Sequence, residues 1–164
     1  MTSTPAKAAT AMRAPDDMDR KILRSLQAQP ERSIQEVADS VGLSQTPCWR
    51  RIKRLESEGV IVRRAVILDP KKLGLSVMAL VYLKLNNHHE ETLENLEAEV
   101  RSHPQILDCF SMSGDSDYVL RVVAPTIDDY EHFLKKVIVH LPGVASVNSS
   151  FVLKSVKAST DLPV

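Results

Sequence analysis

Cysteine is scarce in this 164-residue chain: Cys48 and Cys109 are the only two, far apart and in no CxxC pair. That excludes a thiolate zinc site or a disulfide framework, and both read as small buried hydrophobes of a reducing compartment. Long apolar runs are missing too. None approaches the roughly 18 residues of a membrane span. The stretch Met1 to Pro15, rich in Ala and Thr, lacks the apolar core of a secretory signal. The expected location is therefore the cytoplasm, with no membrane partner. Catalytic signatures are absent: Ser149-Ser150 has no GxSxG context, and there is no P-loop and no GxGxxG. His88, His89, His103, His132 and His140 include no HxxxH pair and fall on different predicted elements, so neither a metal nor a cofactor is expected. A metabolic enzyme would need a catalytic constellation that the chain does not offer, and the reading is that it is not an enzyme. Net charge is also missing, with 21 basic against 21 acidic residues, which taken alone argues against nucleic acid as a partner.

What is present changes that picture. A hydrophobic fraction of 43% beside 26% charged residues is that of a folded globular chain, and the length suits one ordinary domain or two small ones. The neutral charge is a sum of unlike halves. Residues 1–72 carry 14 basic against 9 acidic residues, and residues 73–164 carry 7 against 12. Two domains with different partners are expected.

Periodicity divides the chain further. Residues 1–15 have none and read as a disordered tail. Asp16-Asp17 can cap a helix with Met18, Ile22, Leu23 and Leu26 on one face, ended by Pro30. Ser33 and Glu36 have capping-box spacing before Val37, Ala38 and Val41, and Gly42 is a natural stop. Ser44 can cap a third helix with Cys48, Ile52 and Leu55 inward, Pro47 in its first turn and Gly59 at its end. Two helices joined by the tight Gly42-Leu43 turn have helix-turn-helix spacing. Val60 to Leu68 then reads as a strand or wing, and Lys71 to Gly74 as a hinge, so a DNA-binding domain over 16–76 is expected. The remainder, 77–164, alternates strand and helix: Val77 to Leu85, Glu91 to Ser102, Ile106 to Met112, Tyr118 to Ala124, Thr126 to His140 and Val144 to Leu153. The order βαββαβ predicts a ferredoxin-like domain, a four-stranded antiparallel sheet with two helices on one face. The other face would be buried most simply against a second copy. The fold class is thus α+β, a winged helix-turn-helix followed by a ferredoxin-like oligomerisation domain.

The third helix carries the chemistry. With Cys48, Ile52 and Leu55 inward, Thr46, Arg50, Lys53 and Arg54 fall on the opposite face and Trp49 at its edge. Six Arg and Lys against two acids lie between Ser44 and Arg64. Such a face suits the major groove, where Arg and Lys address guanine or phosphate and the helix N-terminus holds the backbone. A charge run of this kind is ordinarily a solvated face, but the capping box, the turn and the apolar spacing together favour double-stranded DNA. The predicted contacts are Ser44, Gln45, Thr46, Pro47, Trp49, Arg50, Lys53 and Arg54. The acidic residues Glu90, Glu91, Glu94, Glu97 and Glu99, with Asp128, Asp129 and Glu131, read as solvated helix faces that also repel DNA from the second half.

Asp19-Arg20-Lys21-Ile22-Leu23, the run Val41 to Glu56 and Gly59-Val60-Ile61 resemble the DNA-binding domain of the Lrp/AsnC regulators. Ser113-Gly114-Asp115-Ser116-Asp117-Tyr118 and Leu141-Pro142-Gly143-Val144 resemble that family's effector domain, in the same order. The likeness runs from about Asp16 to the end. The ending, Ser149-Ser150-Phe151 with Thr160-Asp161-Leu162-Pro163, is similar to members that control amino-acid catabolism. The resemblance implies a homodimer assembled into tetramers or octamers, an amino-acid effector, and a pocket between dimers. That pocket would use Gly114, Asp115, Asp117 and Tyr118 with Val139 and Ser150. Gly114 would let backbone N–H groups approach an α-carboxylate, and Asp115 or Asp117 would pair an α-ammonium. The residues alone favour reading this run as a hairpin turn and nothing more. Trp49 and Arg50 depart from the best-known members, so operator preference does not carry over. The expected function is a sequence-specific regulator of a nearby amino-acid metabolism gene, the alternative a nucleoid-type architectural protein with no effector.

Overall fold

The computed structural model describes residues 13–164. The expected tail lies outside them for residues 1–12, and Arg13 to Pro15 carry no regular secondary structure. The described residues form two compact units, 13–67 with Ser159–Val164, and Leu68–Ala158. The sequence reading put the boundary at 76/77 and gave all of 77–164 to the second unit. The last six residues instead belong with the helices.

The first unit is built on α1 (Asp17–Ala28), α2 (Ile34–Val41) and α3 (Gln45–Ser57). Asp16 and Asp19 form a reciprocal capping box at the start of α1, and Ser33 and Glu36 do the same for α2. The Ser33 hydroxyl and N–H on Glu36 hold that carboxyl below its usual range. Gly42 closes α2 at φ +72°, a left-handed conformation that glycine adopts without Cβ strain, and this sets the turn into α3. The apolar stripes meet as predicted. Ile22, Val37, Ala38, Cys48 and Ile52 form a buried cluster, sealed by Met18, Leu26, Val41, Leu43 and Ile61.

The strand or wing expected over Val60 to Leu68 is not formed. Beyond Ile61 its β-branched residues are exposed, Val62 by 86% and Val66 by 84%. Among the described residues no neighbouring strand is at hand to pair their N–H and C=O groups, and β-propensity alone makes no ladder. The hinge is a 3-10 turn, Lys71–Leu73, ended by Gly74.

The second unit contains β1 (Val77–Leu85), α4 (Glu90–Ser102), β2 (Ile106–Ser111), β3 (Tyr118–Ala124), α5 (Ile127–Lys136) and β4 (Val144–Phe151). The predicted helix Thr126 to His140 stops at Lys136 and resumes as a 3-10 turn, Ile138–His140. All pairings are antiparallel in the order β2-β3-β1-β4, the split βαβ arrangement. Strand alternation then assigns two faces. Ala79, Val81, Leu83, Tyr118, Leu120 and Val122 pack with Leu96 and Val100 of α4 and Tyr130 and Phe133 of α5. The opposite face presents Met78, Leu80 and Tyr82 of β1, Val119 and Arg121 of β3 and Phe110 of β2, with no helix of this unit over it. Arg121 bridges to Asp108 across it at 2.5 Å.

Candidate functional site

On α3 the inward stripe of Cys48, Ile52 and Leu55 is fully buried, which turns the rest of the helix outward. Ser44, Gln45, Thr46, Pro47, Trp49, Arg50 and Lys53 are all exposed, from its N-cap into its third turn. Ser44 occupies the N-cap position, yet its hydroxyl makes no capping bond, so the first-turn N–H groups keep their positive potential free of a side-chain partner. Pro47 has no N–H to offer. Arg50 forms no ion pair among the described residues, whereas Lys53 reaches Glu56 at 2.8 Å.

Arg54 departs from the expectation. Its guanidinium turns back to the fully buried carboxylate of Asp19 and also approaches Glu58 at 3.7 Å. Arg51, which the sequence reading did not single out, joins the same cluster. Its Nη1 donates to Asp16 at 2.7 Å and to Asp19 at 2.8 Å. Arg51 and the Asp19 N–H together hold the Asp16 carboxyl well below the usual carboxylate range. Charge count makes α3 look uniformly basic. The partner of half that charge is an acidic pair one helix away, and the signal available in sequence was the matched spacing of Asp16/Asp19 with Arg51/Arg54.

The candidate effector residues lie in the second unit. Between β2 and β3 the chain turns through 112–117, pinned where the Met112 N–H donates to the Asp117 carbonyl and the Asp117 N–H to the Leu83 carbonyl. Gly114 sits at the tip with φ +130°, a conformation strained for any side chain, and Asp115 beside it is exposed. Asp117 is already engaged. Its Oδ2 accepts the Leu85 N–H at 2.6 Å and its Oδ1 meets His88 Nε2 at 2.8 Å. The Leu85 N–H first, and His88 second, keep its carboxyl below the usual range. Tyr118 is buried on the helix-covered face, where burial pushes its hydroxyl up, and that hydroxyl donates to Glu97 at 3.4 Å. It lines a cavity of about 360 Å³ with Glu97, Arg101, Ile106, Cys109 and Ser111.

Val139 is exposed on the 3-10 turn, and Ser150 is exposed opposite Leu80 on the uncovered face. Tyr118 and Ser150 therefore point to opposite faces of one sheet. A single chain brings Gly114, Asp115, Asp117 and Tyr118 together in sequence order but does not gather all six residues about one cavity. Among the described residues no group of three His, Cys, Asp or Glu is placed to hold a metal ion.

Residues 78–162 match the model of the Lrp/AsnC ligand-binding domain, and residues 15–62 match a winged helix-turn-helix DNA-binding domain. The chain is similar to the DNA-binding transcriptional activator DecR of Escherichia coli, with 37% identity over 149 residues, covering 91% of this chain and 98% of that one. Among solved structures it resembles an AsnC family transcriptional regulator from Agrobacterium tumefaciens, with a TM-score of 0.85 and 41% identity over 90% of this chain and 96% of that one. A transcriptional regulator of Neisseria meningitidis, crystallised as its L-Met complex, is also similar, with a TM-score of 0.85 and 34% identity at the same coverage.

Proposed function

Because this chain belongs to the Lrp/AsnC family of DNA-binding transcriptional regulators, which are not enzymes, we propose that it reads its operator with α3 and that a free amino acid governs this binding. The observation that carries the reading is the division of labour on that helix. Arg51 and Arg54 are committed to Asp16 and Asp19, while Ser44, Gln45, Thr46, Trp49 and Arg50 stand clear and the exposed Lys53 is held by Glu56 of its own helix. The uncapped first turn suits a phosphate, and the long cations behind it reach base edges or the flanking strand. Arg54 is left out of the groove-facing set.

The test is a gel shift on operator fragments with the double variant Arg50→Ala, Lys53→Ala. Loss of the specific complex at unchanged oligomer mass supports the assignment, and unchanged binding removes α3 from the groove. Broad, salt-sensitive binding by the wild type with no preferred site would favour an architectural role.

For the effector, Gly114 and Asp115 offer open backbone N–H groups and a free carboxylate, a pairing that suits a zwitterionic amino acid. Tyr118 and Ser150 face opposite ways, so a pocket that uses both is completed by another copy. This goes with a homodimer joined through the uncovered sheet faces and assembled into tetramers or octamers. Control of a nearby amino-acid metabolism gene, in the cytoplasm, is the role that fits. L-Met in the similar Neisseria meningitidis complex makes it one of the amino acids to try first.

A further inference from the structure

Residues 159–164 lie against α1, and the contacts are specific. The Gln27 side-chain amide meets one residue of this segment with both its groups: its Oε1 accepts the Leu162 N–H at 2.7 Å and its Nε2 donates to the Leu162 carbonyl at 3.1 Å. One turn back on the same helix face, Arg24 Nη1 donates to the Val164 carbonyl oxygen at 2.8 Å. This is how a neighbouring strand would be read, main chain to side chain, and it fixes register without regard to the side chain at 162. Asp161 N–H is tied to the Ser159 hydroxyl and Val164 N–H to the Leu162 carbonyl, so the segment turns on itself as it meets the helix.

The segment also forms a wall. With Leu23, Leu26 and Pro30 beneath and Val60 to Ile67 opposite, it borders a groove of about 540 Å³ over α1. Without it, the outer flank of Leu23 and Leu26 would face water, and those two residues adjoin the Ile22 stripe that anchors α1 to the helical core.

We propose that residues 159–164 are a docking strap for the DNA-binding unit, with α1 as the receptor and Gln27 as the clamp. The chain thereby enters the helical unit twice, at its beginning and again after the second unit is complete. The occupant is this chain's own segment, because three hydrogen bonds seat it there and it clusters with the helices. The strap is held by exposed polar bonds with Leu162 69% exposed, so it releases without unfolding α1.

Amide hydrogen exchange on the full chain tests this. The Leu162 N–H is expected to exchange at least about tenfold more slowly than an unstructured amide. Gln27→Ala, a substitution that keeps helix propensity, is expected to return it to the unstructured rate while the amides of α2 and β1 keep their protection. An unprotected Leu162 in the wild type, or protection unchanged in Gln27→Ala, would overturn the strap. Mixing Gln27→Ala chains with chains truncated after Ala158 separates the two possible origins of the segment. Own-chain docking leaves Leu162 unprotected in the mixture. Recovered protection would show the segment crossing to another copy and would overturn the own-chain assignment.

Discussion

Asp19 is the most constrained single residue of the helical unit: a carboxylate with no exposure, capping α1 from within and bound by two guanidinium groups of α3. Removing one partner from such a cluster leaves uncompensated buried charge, which costs more than the pair contributes when intact. Replacing Arg51 and Arg54 together by Ala strips the buried Asp19 carboxylate of both cations and is expected to destabilise the unit by about 3 kcal/mol or more, read as a lower urea midpoint with the slope unchanged. Asp16 gives the same clasp a pH dependence. Its carboxyl is depressed in the folded chain, so its contribution is complete above the ordinary carboxylate pKa of about 4 and fades as pH falls below that toward the folded value. Thermal melts of wild type and Asp16→Asn should therefore differ most at neutral pH and converge in acid. A gap that widens in acid would contradict the clasp.

At the scale of elements, α3 separates two kinds of arginine. Arg50→Ala with Lys53→Ala is expected to flatten the log–log salt dependence of DNA binding by up to about two units, one for each phosphate no longer neutralised. Arg54→Ala should leave that slope alone and lower the melting temperature, since its guanidinium serves Asp19. The Gly42 turn that sets α3 against α2 has a left-handed backbone in open space, so Gly42→Ala meets no side chain and is expected to cost about 1 kcal/mol in backbone strain alone. The helices and strands themselves were legible because their apolar periods of 3.6 and 2 agree with their caps, as with Ser33 and Glu36 on α2. Val60 to Leu68 departs from the expected strand for the opposite reason. Its residues favour a strand, but a strand exists only where a partner does, and none lies beside it among the described residues.

For the whole molecule, the uncovered sheet face is an unpartnered apolar surface of the second unit, with Phe110 57% exposed and Leu80 and Tyr82 half-buried. Leu80→Asp puts a charge at its centre, beside Ser150 and Arg121 in the register. Size-exclusion with light scattering should show a fall toward the mass of one chain, and any amino-acid-dependent thermal shift of the wild type should vanish with it. A monomeric variant that still responds would place the effector within one chain.

Composition and periodicity by themselves determined the two-part plan: opposite charge in the two halves, three helices, then βαββαβ. These are local properties, set by which residues recur at which spacing and which groups end a run. Tertiary structure alone decided that Arg51 and Arg54 are tied to Asp16 and Asp19, that Tyr118 and Ser150 point to opposite faces, and that residues 159–164 return to α1. Each of these joins groups distant in sequence. A side chain's partner depends on what the fold brings to it, and no spacing along the chain specifies that.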